Sequence, residues 1–181
     1  MNNLIIRAVL SITLYFLSNL HTYHIGINQD APPLHDDLHA ILPNLSKHPY
    51  IRDIILLLFL IPLIFISTQK RIKIIVECFE VFIIVVTLKA ITIFFTFLPP
   101  SNEHSHEKRQ VNHAYHQIFS GHNSFVFLLV LLYVKHQVFR ASIPTFISVF
   151  IYALVILMTR CHYTVDVVLS FIIVYLLYDA K

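Results

Sequence analysis

Six apolar runs, at about residues 4–20, 51–67, 74–98, 118–134, 143–159 and 164–178, take up most of this chain of 181 residues. Each has the length and apolarity of a bilayer-spanning helix, which needs about 20 mostly apolar residues. Hydrophobic residues make up 57% of the sequence and the mean hydropathy is +0.72. A soluble domain usually holds ~45–50% apolar residues. The expected fold is therefore all-α: a polytopic membrane protein, a six-transmembrane helical bundle forming a single domain over residues 1–181. No separate soluble domain fits into the remaining length.

Arg7 stands near the start of the first run, as a basic residue would in a secretory signal. The segment Ser18-Asn19-Leu20-His21-Thr22 lacks a small-x-small cleavage site, so the run is read as a retained span. Two glycines in the whole chain leave no Gly-x-x-x-Gly packing motif, and helix contacts must use Ser, Thr, Ala and aromatic side chains. No internal repeat is evident. Cys78 and Cys161 do not form a secreted disulfide framework and are expected as free thiols.

Lysine and arginine in short loops set the orientation. The tight loop Gln69-Lys70-Arg71-Ile72-Lys73 and the loop with Lys135 and Arg140 hold no acidic residue, so both are expected in the cytoplasm, with both termini. Loops 21–50 and 99–117 mix Lys47, Lys108 and Arg109 with Asp30, Asp36, Asp37, Glu103 and Glu107 and hold most of the histidines. They are expected outside or in an organelle lumen. The net charge of +3 is small and its basic residues are dispersed, which argues against nucleic-acid binding.

Two short segments carry the chemistry, Ser120-Gly121-His122 and Arg160-Cys161-His162-Tyr163-Thr164-Val165-Asp166. Each opens an apolar run, and both runs enter from the same non-cytoplasmic side. Residues four apart stack on one helix face, so Asp166 is expected one turn below His162, accepting a hydrogen bond from its ring. Such a bond fixes the tautomer and makes the far nitrogen a better nucleophile, which suits attack on phosphorus. His122 is the candidate acid for the departing alkoxide. Ser120 and Gly121 stand at a helix start, where unpaired N–H groups and the helix dipole favour an anionic phosphoryl group. Either histidine alone would equally fit an interfacial packing role; the two together with Asp166 favour a site.

An ionisable residue inside a span costs about 2.5–3.5 kcal/mol on insertion scales, and Lys89 lies roughly 13 Å inside the third run at 1.5 Å per residue. It either meets a lipid phosphate or a site carboxylate, or it snorkels or joins an ordinary interhelical ion pair. Glu77 and Glu80 are expected to pair structurally with Lys70, Arg71 and Lys73. Arg160 is placed to hold phosphate oxygens bidentately. His104, His106, His113 and His116 raise a zinc question, but their irregular loop has no thiol ligands, and no metal or other cofactor is expected.

These motifs resemble the sphingomyelin synthase-related branch of the lipid phosphatase/phosphotransferase (PAP2-type) superfamily. Phe119-Ser120-Gly121-His122 is similar to its Phe-Ser-Gly-His-Thr segment, with Asn123 in place of Thr. His162-Tyr163-Thr164-Val165-Asp166-Val167 matches its most diagnostic segment without departure. Pro32-Pro33-Leu34-His35-Asp36 is similar to its Pro-Pro-Leu-Pro-Asp segment, and Lys89-Ala90-Ile91-Thr92 through Thr96-Phe97-Leu98-Pro99-Pro100 to the end of its third span. The likeness runs over about residues 31–178.

The resemblance implies a catalytic triad of His122, His162 and Asp166 with a phosphohistidine-type intermediate on His162. It places Arg160, Lys89, Ser120, Gly121, Asp36 and Tyr163 at the substrate. It implies transfer of phosphocholine, phosphoethanolamine or phosphoinositol from a glycerophospholipid donor to ceramide, releasing diacylglycerol; the residues themselves leave ceramide and diacylglycerol both open as acceptor. The setting it implies is a lumenal or exoplasmic site in the Golgi, endoplasmic reticulum or plasma membrane. Ala114-Tyr115-His116 stands where the family has Cys-Gly-Asp, and Lys89 where it has arginine; both bear on head-group choice. No interaction domain precedes the first span, so the chain reads as close to a minimal catalytic core. A lipid phosphate phosphatase of the same superfamily and a non-catalytic lipid-binding protein share these features. Against the phosphatase, the chain has no Lys-x6-Arg-Pro segment.

Overall fold

The computed structural model describes residues 2–26, 34–96, 98–99, 101 and 118–180. Among them every regular element is a helix: α1 (Asn2–Gly26), α2 (Asp37–Ile41), α3 (Tyr50–Leu60), α4 (Pro62–Phe65), α5 (Thr68–Phe95), α6 (Gly121–Lys135), α7 (Ile143–Met158) and α8 (Thr164–Asp179). The all-α expectation holds, and each of the six apolar runs folds as helix. The run over 51–67 is not one helix, because Pro62 has no N–H for the helical ladder. The chain breaks there into α3 and α4, and Arg71 donates to the carbonyls of Ile64 and Ile66, both at 3.2 Å. The basic stretch 69–73, expected as a tight loop, forms the first turns of α5. Residues Asn3–His21 of α1 are long and apolar enough, by length and composition, to cross a membrane.

α6 is the central helix, packed against α3, α5, α7 and α8. It is apolar around its circumference, as a helix enclosed on all sides must be. One side buries Leu128, Leu129, Leu132 and Tyr133 against Ile74, Cys78, Val81 and Val85 of α5 and Val174 of α8. The other buries Val126 against Tyr152, Ala153, Ile156 and Leu157 of α7. The break after α3 leaves the Phe59 carbonyl to accept from Tyr133 Oη at 2.8 Å. α1 lies on α5, joined by Ser11 and Thr87 hydroxyls 2.6 Å apart. Cys78 and Cys161 are free thiols.

The bundle has two chemically distinct ends. At one, Glu77 of α5 binds Lys135, the last residue of α6, at 2.8 Å and His136 just after it at 3.1 Å. Glu77 was expected to pair with Lys70, Arg71 and Lys73; the antiparallel packing of α5 on α6 brings Lys135 closer instead. At the other end the N-termini of α3, α6 and α8 meet the second half of α5. The outer faces carry large apolar side chains in the open, among them Phe16, Phe65, Phe95, Phe150 and Leu176.

Candidate active site

Both site segments are entered through a residue forced into the left-handed region, Phe119 with φ 40° and Arg160 with φ 54°. Neither is glycine, so each turn carries strain that the surrounding bonds must hold in place. Ser120 then caps α6: its Oγ accepts from the Asn123 N–H at 3.3 Å, and its own N–H donates to the Asp166 carbonyl at 3.2 Å. That backbone bond ties the starts of α6 and α8 together. Ser120 Oγ serves the cap, and Gly121 presents backbone alone.

Lys89 is 9% exposed and does not snorkel out of the bundle. Its Nζ lies 6.0 Å from the centre of the Phe119 ring, and a Cβ on Gly121 would stand 3.6 Å from it. The ammonium therefore sits at the N-terminus of α6, where the helix dipole adds to its field. The charge of the Asp166 carboxylate also acts on it, so the position joins two of the roles expected for it, a site carboxylate and a phosphate-binding end.

His122 Nε2 is 3.2 Å from Asp53 Oδ1 on α3. The charged groups acting on the His122 ring are Arg52, His162, Asp53 and Lys89, contributed by α3, α5 and the entry to α8. The two imidazoles and Lys89 are thus gathered at one end of the bundle.

His162 and Asp166 meet, but not as two turns of a helix. α8 begins at Thr164, so His162 lies in the preceding turn. Asp166 occupies the third helical position and reaches back to accept the Tyr163 N–H at 3.0 Å, a capping interaction. The same carboxyl oxygen stands 3.7 Å from His162 Nδ1, within ion-pair reach and longer than a hydrogen bond. Cap and site share one oxygen, and this is why the expected ring bond is stretched.

Three of the expected substrate contacts are spent on architecture. Arg160 donates from one terminal nitrogen to the His39 and Leu42 carbonyls, the latter at 2.8 Å, and so pins the segment before α3 instead of offering a fork. Its other terminal nitrogen is buried without a partner among the described residues. Tyr163 Oη accepts from the Leu34 N–H at 2.9 Å and donates to the Pro99 carbonyl at 3.1 Å. Asp36 caps two helices at once: Oδ1 accepts from Leu38 and His39 N–H groups of α2, and Thr164 donates its N–H at 2.6 Å and its hydroxyl at 2.7 Å. Burial works to raise the Asp36 carboxyl, and the bonds from Thr164 and His39 together outweigh it and hold the group below its ordinary value.

One capping side chain contributes ≈0.5–2 kcal/mol, so Asp36→Ala, which uncaps α2 and α8 together, is expected to cost about 2 kcal/mol in a melting experiment. Because the folded form is the better acid, this stabilisation persists above the ordinary Asp value of 3.8 and fades only as the pH falls below it.

His39 was not anticipated. Its ring is stacked on Tyr163, centroids 5.9 Å apart, and its Nε2 donates at 3.0 Å to the His162 carbonyl, which can only accept. Burial holds the imidazole below its ordinary 6.5 despite the pull of Asp36. The unfolded chain then binds the proton more readily, so stability is full above pH 6.5 and declines as the pH falls through that value. A melting series from pH 7.5 to 5.5 should show this slope in the native protein and lose it in His39→Gln.

Arg52 and Asp53 were also missed. They sit at the mouth of the second apolar run, and two charges at that boundary were the available signal. The histidines 104, 106, 113 and 116, and the stretch Ala114-Tyr115-His116, lie outside the described residues. Among the described residues no cluster of His, Cys, Asp and Glu could hold a metal ion.

The described residues form an all-helical bundle with an apolar exterior and, at one end, two histidines beside a buried lysine. Residues 117–181 match the family model described as PAP2 superfamily C-terminal. The matched stretch, 65 of the 181 residues, holds His122, His162 and Asp166 and supports a likeness to the PAP2-type superfamily, whose members are typically phosphatases or phosphotransferases. It does not reach the sphingomyelin synthase-related branch. Comparisons with curated proteins and with solved structures each returned no match.

Proposed function

We propose that this protein is a membrane-embedded lipid head-group phosphotransferase of the sphingomyelin synthase type. It moves phosphocholine, phosphoethanolamine or phosphoinositol from a glycerophospholipid to ceramide and releases diacylglycerol. The observation that carries this reading is the gathering of His122, His162 and Lys89 where the N-termini of α6 and α8 meet. The apolar outer faces support six membrane spans, and the basic residues at the opposite end support a lumenal or exoplasmic site with both termini in the cytoplasm.

Lys89 and the N–H groups opening α6 hold the donor phosphate. His162, whose Nδ1 faces Asp166, attacks phosphorus through Nε2. The bond from phosphorus to the glycerol oxygen breaks, its electron pair stays on that oxygen, and protonated His122 supplies the proton, freeing diacylglycerol. His122, now neutral, takes the proton of the ceramide hydroxyl as that oxygen attacks the phosphohistidine, and both histidines return to their starting states. No step requires a metal.

Membranes carrying the protein, incubated with fluorescent ceramide and with choline, ethanolamine or inositol phospholipid in turn, should yield labelled sphingophospholipid from at least one donor. Free phosphate alone, from phosphatidic acid, would replace this reading with a lipid phosphate phosphatase.

A further inference from the structure

Asp53 and His122 form a second carboxylate–imidazole pair, built from different helices than the pair of Asp166 and His162. Asp53 Oδ1 is shared: His122 Nε2 lies 3.2 Å from it and Arg52 Nε 3.3 Å. At this ion-pair distance the carboxylate favours a hydrogen on Nε2, which leaves Nδ1 to exchange protons with substrate. The environment of the ring otherwise opposes a positive charge. Arg52 and Lys89 are cations, and His162 adds a third group that can carry positive charge. Among the described groups that act most strongly on His122, Asp53 supplies negative charge. Without it, an imidazolium at this place would be left with Arg52, Lys89 and His162 acting on it.

From this juxtaposition we propose that Asp53 is a positioning residue for the acid step: it orients His122 through Nε2 and keeps the ring able to bear the proton that the leaving alkoxide takes. Arg52 in turn holds Asp53 against α6 and shares its oxygen. This rests on the head-group transfer reading above and adds to it a residue outside the motifs that carry the family resemblance. The balance is the one already given. The proton moves from His122 Nδ1 to the departing oxygen and returns from the acceptor hydroxyl, while Asp53 stays the ion-pair partner of the ring throughout and is never itself protonated.

A positioning role predicts dependence on the leaving group, which a purely structural role does not. A glycerol alkoxide needs a proton to depart; p-nitrophenolate does not. The test compares purified native protein, Asp53→Asn, Asp53→Glu and His162→Ala on paired donors: phosphatidylcholine, phosphatidylethanolamine and phosphatidylinositol, and their p-nitrophenyl phosphodiester counterparts. Asp53 is 54% exposed, so neither substitution disturbs a packed core.

Asp53→Asn should lower kcat on the lipid donor by roughly 10- to 100-fold, a part of the ~10²–10⁴ that general acid catalysis supplies. KM should stay near the native value and the first-turnover burst of p-nitrophenolate should hold within about threefold, since that step takes no proton from His122. Asp53→Glu should recover part of the lost turnover. Equal losses on both donor types, or no loss on either, would overturn the role of Asp53. His162→Ala is the separate arm: it must abolish burst and lipid turnover together, and if it does not, the transferase reading fails whatever Asp53 does.

Discussion

His162→Ala removes head-group transfer, with product formation falling by ~10³-fold or more, the scale on which loss of a covalent nucleophile acts. The protein itself should remain folded. His162 lies outside the helices, and its backbone is held by His39, while the neighbouring cap depends on Tyr163 and Asp166 and not on the imidazole. The comparison that checks this is product per milligram of protein, set beside the helical circular dichroism and elution volume of the detergent-solubilised variant. Unchanged spectra with unchanged activity would show that the phosphate never reaches His162. A loss of both would show that the imidazole belongs to the fold.

Lys89→Met should separate activity from stability in the opposite sense. A lysine inside a span costs about 2.5–3.5 kcal/mol on insertion scales, and Met has a similar length and no charge, so insertion and melting temperature should hold or improve. Activity should fall by about 10²-fold, the usual consequence of removing one preorganised cation or donor from developing phosphoryl charge. The argument is geometric: Nζ sits over Gly121 at the start of α6, where it and the helix N-terminus face the same anion. Lys89→Arg keeps the charge and supplies the fork that the resembling family carries at this position, so it should retain much of the turnover and change the ratio among donors. The checking measurement is kcat for each donor together with a melting curve. Equal activity in Lys89→Met would assign the lysine to an ion pair with Asp166 and nothing more.

The helices were legible in the sequence because apolar runs of sufficient length leave the backbone one way to satisfy its hydrogen bonds. Their ends were less so. Pro62 splits the second run by removing a donor, a local rule that overrides apolarity. The stretch 69–73 extends α5 because Lys70, Arg71 and Lys73 are good helix formers, and charge marks a membrane boundary without ending a helix.

At the site, the motif histidines and Lys89 could be found from one-dimensional signals: position at the start of a run, or a charge inside one. Asp36, Arg160 and Tyr163 could be found as motif members, yet their bonding could not. A residue within a motif serves substrate and scaffold with the same chemistry, and only the partners decide. The Asp36 carboxylate accepting from Thr164, 128 residues away, has no trace in local spacing. Arg52 and Asp53 showed only as charges at the mouth of a run, and His39 not at all, since the contacts that define them run between segments far apart in the chain.

The central claim is that phosphorus becomes bonded to His162 on its way between lipids. The most direct measurement is a rapid-quench reaction with a donor carrying radioactive phosphorus, followed by alkaline peptide mapping that preserves phosphohistidine. The account predicts an alkali-stable, acid-labile label on the peptide containing His162, lost on adding ceramide and absent from His162→Ala. Product formed at the native rate with no label on that peptide, or with the label on His122, would contradict it.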